Sequence, residues 1–483
     1  MMKLWRNVGI LIFLYTIVLI LLGSYKPNFF DSALAQLAGK YAGMGLTPYR
    51  DFGMVYPPLQ FLFWGMFKEN ASQATIQVVS GLIYLVVSAR TYQLLKTGLG
   101  RSPDDFQIGA LAIIEAVILR QLSLRGILPL SLALLLICEI WASVKVNRQK
   151  YTVLWLGMIM MWLRWDTGIV LAALTLFVAF FSVNLRKTAL LLALGVVLGG
   201  AALYLYLQAL GILELGWDYI VRMPIWLTQT YRDLPLPTSF SLRSPDMMIY
   251  PTLAIVGLIG AKLLSSSGPL YLRIMLLGFT VLYLPYALGR SDFGHFQPLW
   301  LVSALSLFFV EGIWGVSRWG RALLSLTLIM VAPWFLYNSF WLQPKVGEAH
   351  SSVEREIGEC QKIASGALAS SIFVGRKNYD HYLFNIASLY LVRGDLPPAT
   401  RFIAEEPGIQ SSCKYGGEVA QELAEAEHPI LMFLELDNHG SENKATAEMK
   451  SCGKIEYFLE NNESEYLGSC TAWGHPFEVR LYK

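Results

Sequence analysis

The sequence predicts a polytopic α-helical membrane protein of about 11–13 spans, with a small C-terminal soluble α/β domain. Three observations predict it. The 483 residues are 55% hydrophobic and only 15% charged, where an ordinary soluble domain carries about 25% charged residues. Apolar runs recur throughout residues 1–342, separated by short charged loops. Over residues 343–483 those runs stop, and polar helical patterns alternate with short strand-like ones. A formal net charge of +3 leaves no electrostatic footprint for nucleic acid.

The first apolar run, 8–23, follows Lys3 and Arg6. The stretch GSYKPNFFD after it is a poor small-residue cleavage site, so the run reads as a retained span with a cytoplasmic N-terminus. Residues 24–55 then form a first external loop. In YRDFGMVYPPL (49–59), Arg50 stands beside Asp51, a few residues before Pro57 and Pro58. The run LQFLFWGMF (59–67) reads as the start of a second span, because proline is tolerated in a first helical turn.

Further apolar segments fall near 76–95, 106–119, 126–143, 153–164, 167–183, 188–209, 249–265, 269–287, 297–312 and 322–341. Several are shorter than the ~20 residues a full crossing needs. The basic clusters KVNRQK (145–150), NLRK (184–187) and SRWGR (317–321) mark cytoplasmic loops. Counting from them puts 164–166, 210–245, 288–296 and the C-terminal domain outside. Counting forward from the N-terminus disagrees by one crossing between 56 and 143. One short segment there does not cross, and the sequence does not choose which.

The C-terminal domain, 343–483, sets the strand-like SIFVG (371–375), ILMFLEL (430–436) and EVRLY (478–482) among helical patterns such as GEVAQELAEAE (417–427). It holds Cys360, Cys413, Cys452 and Cys470, whereas Cys138 is alone in the membrane part. An even number of cysteines in a soluble domain predicts two disulfides and an oxidising compartment. Four free thiols in a cytoplasmic domain is the alternative.

The polar residues of the membrane part gather in a few places. Asp31, in NFFDSALAQLAGKYAGMG (28–45), precedes an amphipathic helical pattern. It is either an N-cap or, with Phe29 and Phe30 laid against the bilayer, a carboxylate kept for chemistry. Asp51 is either an ordinary surface partner of Arg50 or a second acid. LRWDTG (163–168) puts Arg164 and Asp166 between two apolar runs, where ionisable groups face a cavity or a partner. GRSDFGH (289–295) carries Arg290, Asp292 and His295, the only histidine in that part of the chain. No metal-ligand spacing, phosphate loop, nucleophile elbow or Cys–His pair occurs there. Any chemistry therefore runs on carboxylates, arginines and one histidine. In the tail, RGDLPPATRF (393–402) is the most distinctive run. It is a Pro-stiffened turn, or part of a surface that binds a ligand or caps a site.

The early Asp of the first loop, followed by PYRDF and YPPL, resembles the integral-membrane glycosyltransferases of the GT-C superfamily. LRWDTG, GRSDFGH and the tail around SIFVGRKNYDHYLFN, YLVRGDLPPATRF and PGIQ resemble a bacterial branch with a periplasmic C-terminal domain, similar to mannosyltransferases and aminoarabinose transferases. The resemblance implies a polyprenyl-phosphate-sugar donor and a glycan, lipid or protein acceptor. It places the reaction at the outer face of the inner membrane, with inversion at the sugar. Asp31 would be the general base, and Arg164, Arg290 and Arg50 would bind the donor lipid phosphate. Asp166, Asp292 and His295 would position substrate. Many relatives carry an acidic pair in the first loop, whereas Ser32 follows Asp31 here. Asp51 is then the candidate second acid, orienting the acceptor or holding a divalent ion. No other cofactor is implied.

Two other readings compete. A flippase, transporter or polymerase-type protein for lipid-linked sugars calls for polar residues through the membrane depth and on both faces, but here they crowd one face. A non-enzymatic binding protein accounts for the tail and leaves the loop carboxylates without a purpose.

Overall fold

The computed structural model describes residues 29–53, 55–99, 108, 132–133, 135–143, 151–225, parts of 253–264, 270–289, 299, 357–376, 387–403, 412–436, 453–472 and 475–483. The described chain is mostly helical, with one small sheet. It divides into two compact units. The first comprises Met1–Asn28, Ile76–Tyr206 and Asp233–Ser339; the second comprises Phe29–Thr75, Leu207–Arg232 and Phe340–Lys483.

The second unit opens with α1 (Phe29–Gly43). Asp31 lies inside this helix rather than ahead of it, which corrects the expectation that it precedes the helical pattern. The next helix, α2 (Leu59–Gly65), has seven residues. At 1.5 Å per residue it is roughly 10 Å long, far short of a ~30 Å hydrocarbon core. The run 59–67 is therefore not the start of a span. Its aromatics are spent locally: Phe61 is buried, its ring 5.9 Å from Tyr49 and 5.7 Å from Phe52. Gly65 sits so close to α1 that a Cβ there would lie 3.0 Å from the Ala42 Cβ. A 3-10 turn, Lys68–Asn70, ends this excursion, and α3 (Gln73–Leu99) follows.

In the first unit, α4 (Thr152–Leu163) and α5 (Trp165–Ala179) are separated by Arg164 alone. The long helix α6 (Val183–Ala209) follows. Among the described residues α6 is the one helix long and apolar enough to cross a membrane; Val78–Leu94, Thr152–Leu163, Trp165–Ala179 and Arg273–Leu284 are shorter apolar helices. Leu190, Val197 and Leu205 on α6 stay exposed. Its Gly195 and Gly199, four residues apart, let α4 approach. A Cβ on Gly199 would come within 2.7 Å of the Met158 carbonyl oxygen, and one on Gly195 would strike the Leu154 backbone. Small residues at this spacing are the usual device for close packing of helices in lipid. Trp162 Nε1 donates to the Gly199 carbonyl at 3.1 Å across the same seam. Elsewhere in this unit Arg90 binds the buried Glu139 through Nε at 3.0 Å and Nη2 at 2.9 Å, joining α3 to the helical stretch 135–143. After the short α7 (Leu213–Trp217), which belongs to the second unit, comes α8 (Leu270–Gly289) of the first.

The sheet belongs to the second unit and has the order β1-β2-β4-β3. β1 (Ser371–Arg376) and β2 (Ile430–Glu435) pair in parallel, and every residue of both is buried. That is why they read as continuous apolar runs and not as alternating ones. A parallel pair needs a crossover, which α9 (Ala387–Tyr390) and α10 (Cys413–Glu425) supply. After β2 comes α11 (Lys454–Asn461), then the antiparallel pair β3 (Ser464–Ala472) and β4 (His475–Tyr482). A disulfide joins Cys360, in the helical stretch 357–364, to Cys470 on β3. Cys413 is also disulfide-bonded, and Cys138 is free and buried. Cys452 lies outside the described residues.

Candidate active site

The run YRDFG folds as a tight turn. Tyr49 N–H donates to the Phe52 carbonyl at 2.6 Å, and Asp51 N–H donates to the Thr47 carbonyl at 3.0 Å. Tyr49 is buried with φ at +69°, an uncommon conformation for a bulky residue. Its ring contacts hold it there, and its hydroxyl donates to the Tyr56 carbonyl at 2.5 Å. Asp51 closes the turn with its side chain. Its Oδ2 accepts from the Thr47 N–H at 2.6 Å, and Arg50 Nε donates to Oδ1 at 3.2 Å. Both carboxylate oxygens thus serve the turn, with a cation already beside them, a poor fit to a divalent ion at Asp51. Among the described residues no group of three or more His, Cys, Asp or Glu is arranged to hold a metal.

The turn is docked onto the distinctive run of the tail. Gly53 N–H donates to the Arg401 carbonyl at 2.7 Å, and Gly53 forms a parallel bridge with Phe402. Just upstream, the same run lies along β1: Ile372 N–H donates to the Pro397 carbonyl at 3.0 Å, and Ala399 N–H returns to the Ile372 carbonyl at 2.7 Å. RGDLPPATRF is thus a strap from the sheet to the first loop. Its side chains brace it. Arg393 donates to the Ala364 and Ala367 carbonyls at 3.0 Å and pairs with Asp395, while the Arg401 guanidinium pairs with Glu418 and Glu422 of α10.

A third segment joins them. Residues 213–225 form a helix interrupted by a π turn, Asp218–Arg222. The extra residue of a π turn shifts the helical face, and here Asp218, Tyr219 and Ile220 are buried in succession. Tyr219 lies between Tyr49 (5.5 Å) and Phe402 (5.8 Å), its ring tilted to both, and its hydroxyl donates to the Arg401 carbonyl at 3.3 Å. Burial holds the Tyr219 phenol well above its ordinary range, so it stays a donor. Asp218 receives Lys414 of α10 at 3.1 Å and Arg222 at 3.7 Å.

In the first unit, Arg164 meets Asp166 through two parallel contacts, Nε to Oδ1 at 3.0 Å and Nη2 to Oδ2 at 2.8 Å. Arg164 is at once the last cap of α4 and the first of α5, which is how a single residue breaks two apolar helices without proline or glycine. The structure therefore brings together Arg50 with Asp51 in one unit and Arg164 with Asp166 in the other. The side chain of Asp31 lies outside the described residues, as do Arg290, Asp292 and His295. Sequence reasoning missed Asp218, Tyr219, Lys414 and the Glu418–Glu422 pair. The signal for the last was legible, since GEVAQELAEAE places two glutamates four residues apart on one helix face.

No protein-family model and no curated protein matches the sequence. Among solved structures, the chain is similar to ArnT from Cupriavidus metallidurans bound to undecaprenyl phosphate. The match has a TM-score of 0.54 and 10% identity, and covers 97% of each chain. The fold is ArnT-like. At this identity the likeness speaks to architecture, and it includes both the helical part and the C-terminal sheet.

Proposed function

We propose that this protein is an inverting membrane glycosyltransferase. It moves a sugar from a polyprenyl-phosphate-linked donor to a cell-envelope acceptor, a glycan, lipid or protein, at the outer face of the inner membrane. The ArnT-like fold over 97% of both chains carries this reading, since that neighbour holds undecaprenyl phosphate. The short helix α2 supports the topology. With 59–65 not crossing, the spans 8–23, 73–99, 106–119 and 126–143 bring the chain to the inside at KVNRQK, and the one-crossing mismatch disappears. The Cys360–Cys470 disulfide supports an oxidising compartment for the C-terminal domain.

In the reaction, Asp31 takes the proton of the acceptor hydroxyl as its oxygen attacks the anomeric carbon. The bond from that carbon to the phosphate oxygen breaks, and the electron pair leaves with the polyprenyl phosphate. Arg290 and Arg164 meet the charge growing on the phosphate, as preorganised donors in a site of low dielectric. Asp166 orients Arg164 by holding one edge of its guanidinium. Arg50, fixed by the turn, lies at the level of the lipid headgroup, and Asp292 and His295 position substrate. Asp51 acts through the turn it closes. Binding of polyprenyl phosphate to purified protein tests the donor side. Arg290→Ala should weaken it by about tenfold or more, and Arg290→Lys should restore it only in part, because lysine lacks the planar fork. Unchanged binding in both Arg290→Ala and Arg164→Ala would remove the phosphate assignment.

A further inference from the structure

The assignments above leave unused the polar cluster that joins the C-terminal domain to the first loop. We infer that Arg401 is a positioning residue, through which the C-terminal domain fixes the turn 47–53 of the first loop for the transfer reaction. The inference rests on the transferase reading.

The geometry is specific. The Arg401 main chain is the acceptor for the turn: its carbonyl takes the Gly53 N–H at 2.7 Å and the Tyr219 hydroxyl at 3.3 Å. Its own N–H donates to Glu422 Oε2 at 2.9 Å, so the peptide on each side of Arg401 is committed. The guanidinium is clamped by Glu418 and Glu422, one turn apart on α10, and lies 4.7 Å from the centre of the Phe402 ring. Helix α10 also reaches the 213–225 helix, through Lys414 to Asp218. One helix of the C-terminal domain therefore holds both loops. The turn has little room to settle elsewhere, because a Cβ on Gly53 would lie 3.0–3.3 Å from three atoms of the Tyr219 ring. Arg401 touches no reacting group; it acts through the turn that carries Arg50 and Asp51.

Three variants of the full-length protein test this: Glu418→Gln with Glu422→Gln, Arg401→Lys, and Gly53→Ala. Amide exchange is read on peptides covering 46–56 and, as a folding control, on peptides from the four strands. Steady-state transfer gives kcat and the acceptor KM, and donor-lipid binding is measured separately. The double glutamine variant should exchange about tenfold faster at 46–56 with the strands unchanged. Its kcat should fall about 10- to 100-fold, as misplacement of a site element does, and donor binding should weaken with it, because the turn carries Arg50. Arg401→Lys should lie between it and the wild type. Gly53→Ala, which leaves the clamp intact and pushes the turn off Tyr219, should reproduce the loss of kcat. Unchanged exchange at 46–56 overturns the inference, and so does faster exchange with unchanged kcat, since a merely structural clamp predicts that. Exchange is read whether or not sugar is transferred, so an inert wild type would count against the transferase reading and not against the docking of the turn.

Discussion

Asp51 spends its carboxylate on its own turn, and the two prolines after it start a short helix against that turn. The adjacency of Arg50 and Asp51 was legible as an ion pair, because neighbouring opposite charges at a polar bend meet readily. What the sequence did not show is the Thr47 N–H, which makes Asp51 a turn closer as well as a partner. Asp395 in the strap behaves alike, and there the titration makes a test. Hydrogen bonds from Arg393 hold the Asp395 carboxyl below its ordinary range. A carboxyl lowered in the folded state contributes stability above its unfolded pKa, and loses it as pH falls through the folded value. Asp395 is 65% exposed, so solvent screens the pair and the effect should be about 0–1 kcal/mol. In acid-denaturation curves, Asp395→Asn should be slightly less stable than wild type at pH 7 and equal to it at low pH. A gap that persists below pH 3 would mean the side chain acts by packing or hydrogen bonding alone.

At the scale of elements, apolarity announced the helices and could not measure them. LQFLFWGMF has the composition of a span, but its Phe61 packs against Tyr49 and Phe52 in the same unit. Hydropathy does not separate a residue buried in protein from one buried in lipid. The break at Arg164 was legible because an arginine and an acid interrupt two apolar runs, while the α4–α6 seam was not read from Gly195 and Gly199. The short helix is open to a direct check. A single cysteine at Glu69, which is exposed just after α2, should react in intact cells with a membrane-impermeant maleimide, as should one at Arg50 just before it. Labelling at position 50 and protection at position 69 would restore a crossing between them.

At the scale of the whole molecule, the sequence indicated a helical membrane part and an α/β tail, but not that residues 29–75 and 207–232 share a compact unit with the tail. Such contacts join positions hundreds of residues apart through backbone atoms such as the Arg401 carbonyl, which leave no mark on composition or periodicity. Cysteine usage was legible in part, with Cys360–Cys470 formed, Cys413 bonded and Cys138 free. Mass mapping of non-reduced peptides should find that bridge and a second one between Cys413 and Cys452. A reactive Cys413 thiol in protein from intact cells would contradict it. The central claim is sugar transfer from a polyprenyl phosphate with Asp31 as base, and its most direct test is turnover by purified wild type and Asp31→Asn. Asparagine keeps the size of the side chain and its hydrogen-bond acceptor while losing the ability to take a proton, so folding and donor binding should survive. The wild type should transfer sugar, and Asp31→Asn should lower turnover by about 10²–10⁴-fold, the usual general-base contribution. Near-normal transfer by Asp31→Asn would return Asp31 to a structural role and contradict the mechanism at its centre.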